Sequence, residues 1–229
     1  MQNNTEIIIE LYAEGKTEIG NLKEGKVETP RSGVIPRIVH KLCGNPSSMR
    51  VKCYGQAYLQ KAGIGKGLHQ KVRYARRQGI YNMRNGTAHA AVYVVDTEGD
   101  FKTKQKEITR GRDLGPKDFP MAVGVAHPCI ESWLLADAQA LRTALSLDKL
   151  PDLPECPELL PAPQKDRKHN PKTVLRDLAG CAQKEISVEE KDRIAAAMND
   201  LELVKNRCPL GFKPFADEVE THIRPLFGV

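Results

Sequence analysis

The stretch His89-Ala90-Ala91-Val92-Tyr93-Val94-Val95-Asp96-Thr97-Glu98-Gly99-Asp100 constrains the fold more than any other. Its uninterrupted apolar, β-branched run has no polar face to give to water. It predicts a strand buried on both sides, as in a parallel sheet covered by helices. The run ends in three acids at alternate positions, Asp96, Glu98 and Asp100. Open α/β sheets place ligands in the crevice beyond the carboxyl ends of their strands. Carboxylates gathered there raise one another's pKa values. A hard divalent cation such as Mg²⁺ removes that cost with oxygen ligands. Asp and Gly are also ordinary turn and capping residues, so the stretch taken alone describes any βα loop.

A second stretch near the N-terminus shifts the balance. Thr5 to Tyr12 is continuously apolar at Ile7, Ile8 and Ile9, which predicts a central first strand. It runs into Ala13-Glu14-Gly15-Lys16-Thr17-Glu18, where Gly15 permits a tight turn. On a helix Glu14 and Glu18 form an i, i+4 pair of like charges, costing about 0.2–0.5 kcal/mol. The helix N-terminus offsets part of that cost. Gly15-Lys16-Thr17 imitates the end of a phosphate-binding P-loop. That motif needs a glycine five residues earlier, where Glu10 stands, so a P-loop NTPase is excluded. Gly63, Gly65 and Gly67 precede a helix rather than follow an apolar strand, and carry little weight.

The remaining pattern is α/β followed by helices. Asn21 to Gly33 reads as loop, and Ser32 is placed to cap a helix reaching Leu42. Val51 to Tyr54 reads as a short second strand and Lys66 to Gln78 as a helix. Phe101 to Arg112 reads as a charged helix and Met121 to Ala126 as a fourth strand. Pro128 then fits a helix start, and Glu131 shares the apolar face of Leu134, Leu135 and Ala138. An acid there faces either the helix dipole or a site. Trp133, the single tryptophan, is expected in the core. Leu150 to Pro163 is proline-rich and predicts an extended connection. Helices follow at Pro171 to Cys181, Val188 to Asn206 and Phe215 to Phe227.

Charge is unevenly placed. Lys+Arg 35 against Asp+Glu 29 gives +6, a balance that favours a polyanionic partner without requiring one. From Val51 to Val95 there is no acid, while Lys52, Lys61, Lys66, Lys71, Arg73, Arg76, Arg77 and Arg84 alternate with Tyr54, Tyr58, Tyr74 and Tyr81. A solvated helix face balanced by acids elsewhere would look similar. The complete lack of acid favours contact with a nucleic-acid backbone, DNA or RNA. The best-placed contacts are Lys66, Lys71, Arg73, Arg76, Arg77 and Arg84. The six cysteines form no C-x-x-C pair, which argues against structural zinc and for a reducing compartment. With no apolar run long enough to span a bilayer and no signal-peptide layout, the expected location is cytoplasmic, away from membranes.

The order of elements and three local motifs resemble the Toprim domain of topoisomerases, primases and the OLD (overcoming lysogenisation defect) nucleases. The motifs are Glu14-Gly15-Lys16-Thr17-Glu18, Asp96-Thr97-Glu98-Gly99-Asp100 and Ile130-Glu131-Ser132-Trp133-Leu134-Leu135-Ala136-Asp137. The third is the most specific, and the resemblance runs from the first strand to about Leu145. It implies a Toprim-like catalytic domain over residues 1–149, built on a mostly parallel four-stranded sheet flanked by helices. A Pro-rich connection and helical C-terminal extension would occupy residues 150–229. Glu14 matches the Toprim glutamate and Asp96 the first aspartate of the D-x-D pair. Glu98 departs from the usual second aspartate, and Asp100 is its alternate. Glu18 matches the additional acid of OLD-type sites.

The resemblance also implies a function. It is that of a Mg²⁺- or Mn²⁺-dependent endonuclease, a phosphodiester hydrolase using two metal ions. Glu14, Asp96 and Glu98 would be catalytic ligands, with Glu18, Asp100 and Glu131 completing the metal site. OLD nucleases couple Toprim to an ABC-type ATPase, so a separate ATPase subunit is the implied partner and anti-phage defence the implied setting. Self-association stays open. Two other classes compete. One is a non-catalytic nucleic-acid-binding or assembly subunit. The other is a phosphohydrolase of the haloacid dehalogenase type, whose Asp-x-Asp is broken here by Glu98.

Overall fold

The computed structural model describes residues 6–55, 58–59, 64, 67–114 and 117–228, exclusive of the side chains of Lys16 and Thr17. The chain enters as β1 (Ile7–Tyr12), makes one helical turn α1 (Lys16–Ile19), and forms β2 (Val27–Glu28), α2 (Val34–Leu42) and β3 (Met49–Tyr54). Next come α3 (Leu68–Arg84), β4 (Ala90–Asp96), α4 (Phe101–Asp113) and β5 (Met121–Ala126). The short α5 (Glu131–Leu134) and α6 (Ala138–Leu145) close this half. The proline-rich stretch carries one 3-10 turn at Pro157–Leu159. It leads to α7 (Pro171–Cys181), α8 (Val188–Ala197), α9 (Leu201–Arg207) and α10 (Phe212–His222). Among the described residues no helix is long and apolar enough to cross a membrane.

The fold is α/β, with a mixed, mostly parallel sheet in the order β2-β3-β1-β4-β5. β1 pairs in parallel with both β3 and β4, and β5 pairs in parallel with β4. The expected four strands are therefore five. β2, two residues inside the stretch expected to be loop, adds antiparallel to the edge of β3. So short a strand carries no hydrophobic period and is invisible to pattern. Two further boundaries differ for identifiable reasons. Ser32 does not cap α2; its Oγ accepts from Asn21 N at 3.0 Å, and Gly33, at φ 90°, holds the N-cap position. The single helix expected from Val188 breaks after Ala197, because the Asp200 side chain accepts from Leu203 N and starts α9.

Both faces of the sheet are buried, which is why β1 and β4 are apolar at successive positions. On β4, Ala90, Val92 and Val94 pack into one core with α2, α5, α6 and α7 to α10. Ala91, Tyr93 and Val95 pack into the other core with Val72 and Ala75 of α3 and Ile108 of α4. The second core holds a layer of tyrosines: Tyr12 stacks on Tyr54 at 5.0 Å and on Tyr93 at 5.9 Å between ring centroids. The expected role of Tyr54 beside a nucleic acid is thus corrected, since its ring is core. Glu10 is buried beside this layer. It accepts from Asn82 Nδ2 at 2.6 Å and Tyr12 OH at 3.1 Å, and burial raises its pKa despite these donors.

Trp133 is fully buried, as expected, stacked on Phe215 with centroids 5.3 Å apart and set edge-on to Phe212 at 5.2 Å. Its indole Nε1 donates to Glu158 Oε1 at 3.3 Å, and Glu158 also accepts from the backbone N–H groups of Leu210, Gly211 and Phe212. The late helices are thereby fixed to the third motif.

α10 lies flat on β5 because Gly124 has no side chain. A Cβ there would stand 2.5 Å from Phe215 Cδ2. Gly124→Ala is therefore expected to cost about 1–3 kcal/mol, the usual range for overpacking. Urea melts should show the midpoint fall, and an unchanged midpoint would show that α10 can lift from the sheet freely.

Candidate active site

The strand order places a crevice between β1 and β4. After β1 the chain pairs β3 on one side, and only later β4 on the other, so the order reverses between these two strands. Such a switch point is where open α/β sheets bind ligands. Tyr12 of β1 and Tyr93 of β4 are in register. Glu14, two residues beyond Tyr12, and Asp96, three beyond Tyr93, therefore leave the sheet at the same edge. Asp96 is in register with Ala126 of β5, and Glu131 opens α5 just after that strand.

Four carboxyls from these ends meet in a desolvated cluster. Asp96 and Glu131 are buried, Glu18 is nearly so and Glu14 is half-buried. Asp96 Oδ1 accepts from Ile130 N at 2.9 Å, and Glu18 Oε2 accepts from Gly15 N at 2.8 Å. Gly15 thus turns the chain so that Glu18 folds back on its own loop. Burial, then the charges of Glu131, Glu18 and Glu14, push the Asp96 carboxyl well above its ordinary value. Burial raises Glu14 and Glu18 too. Glu131 goes the other way. Burial acts against its charge, but the Lys191 ammonium bonds Oε1 at 2.7 Å, and with Lys172 it holds the carboxyl below the usual value. The second oxygen of Glu131, Oε2, is buried with no partner among the described residues.

Glu98 and Asp100 lie at the open margin of the cluster, where the Glu98 charge adds to the effect of burial in raising Glu14. Both are exposed. Glu98 adopts φ 52° in the turn after β4, and its Oε2 lies 3.7 Å from Lys104 Nζ. Asp100 occupies the N-cap position of α4 without a side-chain cap bond. It lines, with Glu14, Lys71, Tyr93 and Lys104, a cavity of about 300 Å³ between the sheet and α3 and α4. Glu98 is therefore at the exposed margin of the cluster, acting on Glu14, and is not buried with Asp96. Alternation sends the side chain two positions beyond a strand end wherever the turn points it, and here that is solvent.

Three lysines at the cluster carry no motif. Lys104 Nζ donates to the Asp96 carbonyl at 2.7 Å, Lys191 pairs with Glu131, and Lys172 is held charged by Glu131, Cys129, Asp96 and Glu18 against the opposing effect of burial. One signal was present for Lys172. A cation in the first turn of a helix opposes the macrodipole, so it needs an acidic neighbour. Lys191 lies 60 positions from its partner and offered none.

The basic segment divides. Arg73, Arg77 and Arg84 form an exposed stripe on α3, with the exposed ring of Tyr81 beside it. Lys71 lines the cavity. Arg76 is corrected: it is buried and donates to the Arg112 carbonyl, docking α3 on α4. Lys66 lies outside the described residues.

The cluster suits a hard divalent cation in donor type and in charge. Its carboxylates are desolvated and repel one another, and one buried oxygen lacks a partner. Among the described residues no three acids, histidines or cysteines converge on one point that could hold an ion. The fit is therefore to an ion held by one or two carboxylates, with water and substrate oxygens filling its shell, the usual habit of Mg²⁺. Comparison with family models, with curated proteins and with solved structures gives no match.

A carboxyl whose pKa rises on folding binds its proton more tightly folded than unfolded. Its ionisation destabilises the fold as pH climbs from the unfolded value of 3.8 through the raised one. Asp96→Asn keeps the oxygen that accepts from Ile130 N and removes that penalty. The variant should melt above wild type at pH 7, with the gap closing as pH falls toward 4. A lower melting temperature at pH 7 would show that the surroundings of Asp96 stabilise its carboxylate rather than penalise it.

Proposed function

We propose that this chain is a metal-dependent nuclease of the Toprim-like type, hydrolysing phosphodiester bonds at the carboxyl ends of β1, β4 and β5. The observation that carries the reading is the convergence of Glu14, Glu18, Asp96 and Glu131 at the sheet's switch point, from three separate motifs. Structural acids at strand ends have no need to repel one another while desolvated. The resemblance of those motifs to Toprim and OLD sequences points the same way. It also suggests a separate ABC-type ATPase partner and a role in anti-phage defence.

Asp96 and Glu131 would hold Mg²⁺ or Mn²⁺, with Glu14 and Glu18 beside them. When bound, the ion supplies Lewis-acid polarisation of a phosphoryl group and acidifies water. The protein's own residues orient and discriminate. Ile130 N fixes one oxygen of Asp96, and Lys104 fixes its carbonyl. Lys191 keeps Glu131 ionised, and Lys172 presents a positive charge where the scissile phosphate would lie. Two ions are the expected number by resemblance.

A non-catalytic nucleic-acid-binding subunit is the second reading. It is favoured by the exposed position of Glu98 and by the lack of any three-ligand convergence among the described residues. The two separate in one assay. Wild type should nick plasmid or degrade RNA with Mg²⁺ or Mn²⁺, alone or with a candidate ATPase. EDTA should abolish the activity, and so should Asp96→Asn, without loss of binding. Cleavage that survives EDTA, or equal cleavage by the variant, rejects the metal mechanism. No cleavage under any condition favours the binding subunit.

A further inference from the structure

We infer that the groove between α7 and α8 holds the phosphodiester backbone of a polynucleotide strand that crosses the carboxylate cluster; this rests on the nuclease reading above. The groove is a cavity of about 490 Å³ lined by Glu131, Lys172, Thr173, Arg176, Lys184 and Lys191, with Glu185 at its margin. Lys191 and Glu131 neutralise each other at 2.7 Å. That leaves Lys172, Arg176 and Lys184 facing one acid, Glu185. Arg176 lies 3.6 Å from Asp177, but both side chains are two-thirds exposed and water screens the pair. Lys184 donates to the Ala144 carbonyl at 3.1 Å, which consumes a hydrogen and keeps the charge.

The location says what class of ligand fits. α7 and α8 pack on one face of the sheet, while α3 and α4 pack on the other. Glu14 lines the cavity against α3 and α4, where Lys71 and Lys104 are matched by Asp100 and Glu107. Glu131 lines the groove against α7 and α8. Both acids act on Asp96. The carboxylates therefore stand between two hollows on opposite faces of the sheet, and of the two it is the groove against α7 and α8 that carries an excess of positive charge. A strand running along the groove meets Lys172, Arg176 and Lys184 with successive phosphates and sets one phosphodiester at the acids. Glu131 serves as the hinge of this arrangement, with Oε1 tied to Lys191 and Oε2 unpartnered beside the groove.

The test uses full-length Asp96→Asn, which binds without cutting, and labelled single-stranded DNA and RNA oligonucleotides in separate arms. Arg176→Glu with Lys184→Gln is the groove variant. Arg176→Glu alone, at an exposed position, is the form to read if the double variant folds poorly. Reversal of Arg73, Arg77 and Arg84 to Glu serves as the comparison on α3. The groove variants should bind severalfold more weakly. Their log–log salt dependence should flatten by about 0.7 for each phosphate of the single strand that the protein no longer neutralises. Inorganic phosphate should compete poorly. Whichever of DNA and RNA shows the groove-dependent loss is the strand bound. Unchanged affinity and slope in the groove variants, or full competition by inorganic phosphate, overturns the inference. Cleavage by wild type with groove-independent binding removes the groove and leaves the nuclease reading. Groove-dependent binding by a protein that never cleaves removes the nuclease and leaves the groove. Absence of both removes both.

Discussion

The structure depends on the cost of holding ionisable carboxyls in a desolvated cleft. Asp96, Glu18 and Glu131 are largely cut off from water, and like charges at that depth are expensive. The fold meets the cost in three ways at once. It directs a backbone N–H at Asp96 and another at Glu18, brings Lys191 against Glu131, and lets the Asp96 proton stay on longer than it would in water. Each of these ties a distant part of the chain to the same few ångströms. Ile130 N belongs to the third motif, Gly15 N to the first, and Lys191 to a helix of the C-terminal half. Lys191 thereby ties the C-terminal half to the site, beside the apolar core that both halves share.

That dependence explains which parts of the molecule were legible in the sequence. β4 and β5 are written in continuous β-branched or small apolar runs, because a strand covered on both faces has no polar side to display. α7 is bounded by Asn170-Pro171, where Asn170 accepts from Thr173 N. Elements fixed by long-range circumstance were not legible. β2 exists because β3 has a free edge. α3 runs on to Arg84, beyond the expected end at Gln78, because Gly79 admits the ring of Phe119 against its backbone. That close packing needs a glycine where a propensity argument sees only a weak helix former.

The candidate site divides along the same line. Glu14, Glu18, Asp96 and Glu131 could be named because each follows an apolar strand or sits on an apolar helix face. Glu98 and Asp100 shared the local pattern but not the burial, since a turn with Glu98 at φ 52° and Gly99 at φ 90° sends them outward. Gly99 is needed there twice over. A Cβ would stand 3.0 Å from the Ala162 side chain, so the proline-rich connection packs directly on the acidic turn. The lysines escaped notice because their partners are remote in sequence, and a charge reveals its purpose only beside the charge it answers.

The opposed pKa directions of Asp96 and Glu131 carry the last step. Two carboxyls in one cleft whose environments push them apart in acidity are suited to different tasks. Glu131, held ionised by Lys191, is a constant negative charge and the better permanent ligand. Asp96 holds its proton more tightly than it would in water, so a cation bound there would have to displace it. Ion binding and deprotonation at Asp96 are then linked: the ion acidifies the carboxyl, and raising the pH tightens the ion. Burial opposes the charge of Lys172, and the same carboxylates hold it charged. On the nuclease reading proposed above, such a cleft would become a phosphate site only once its own negative charge had been answered.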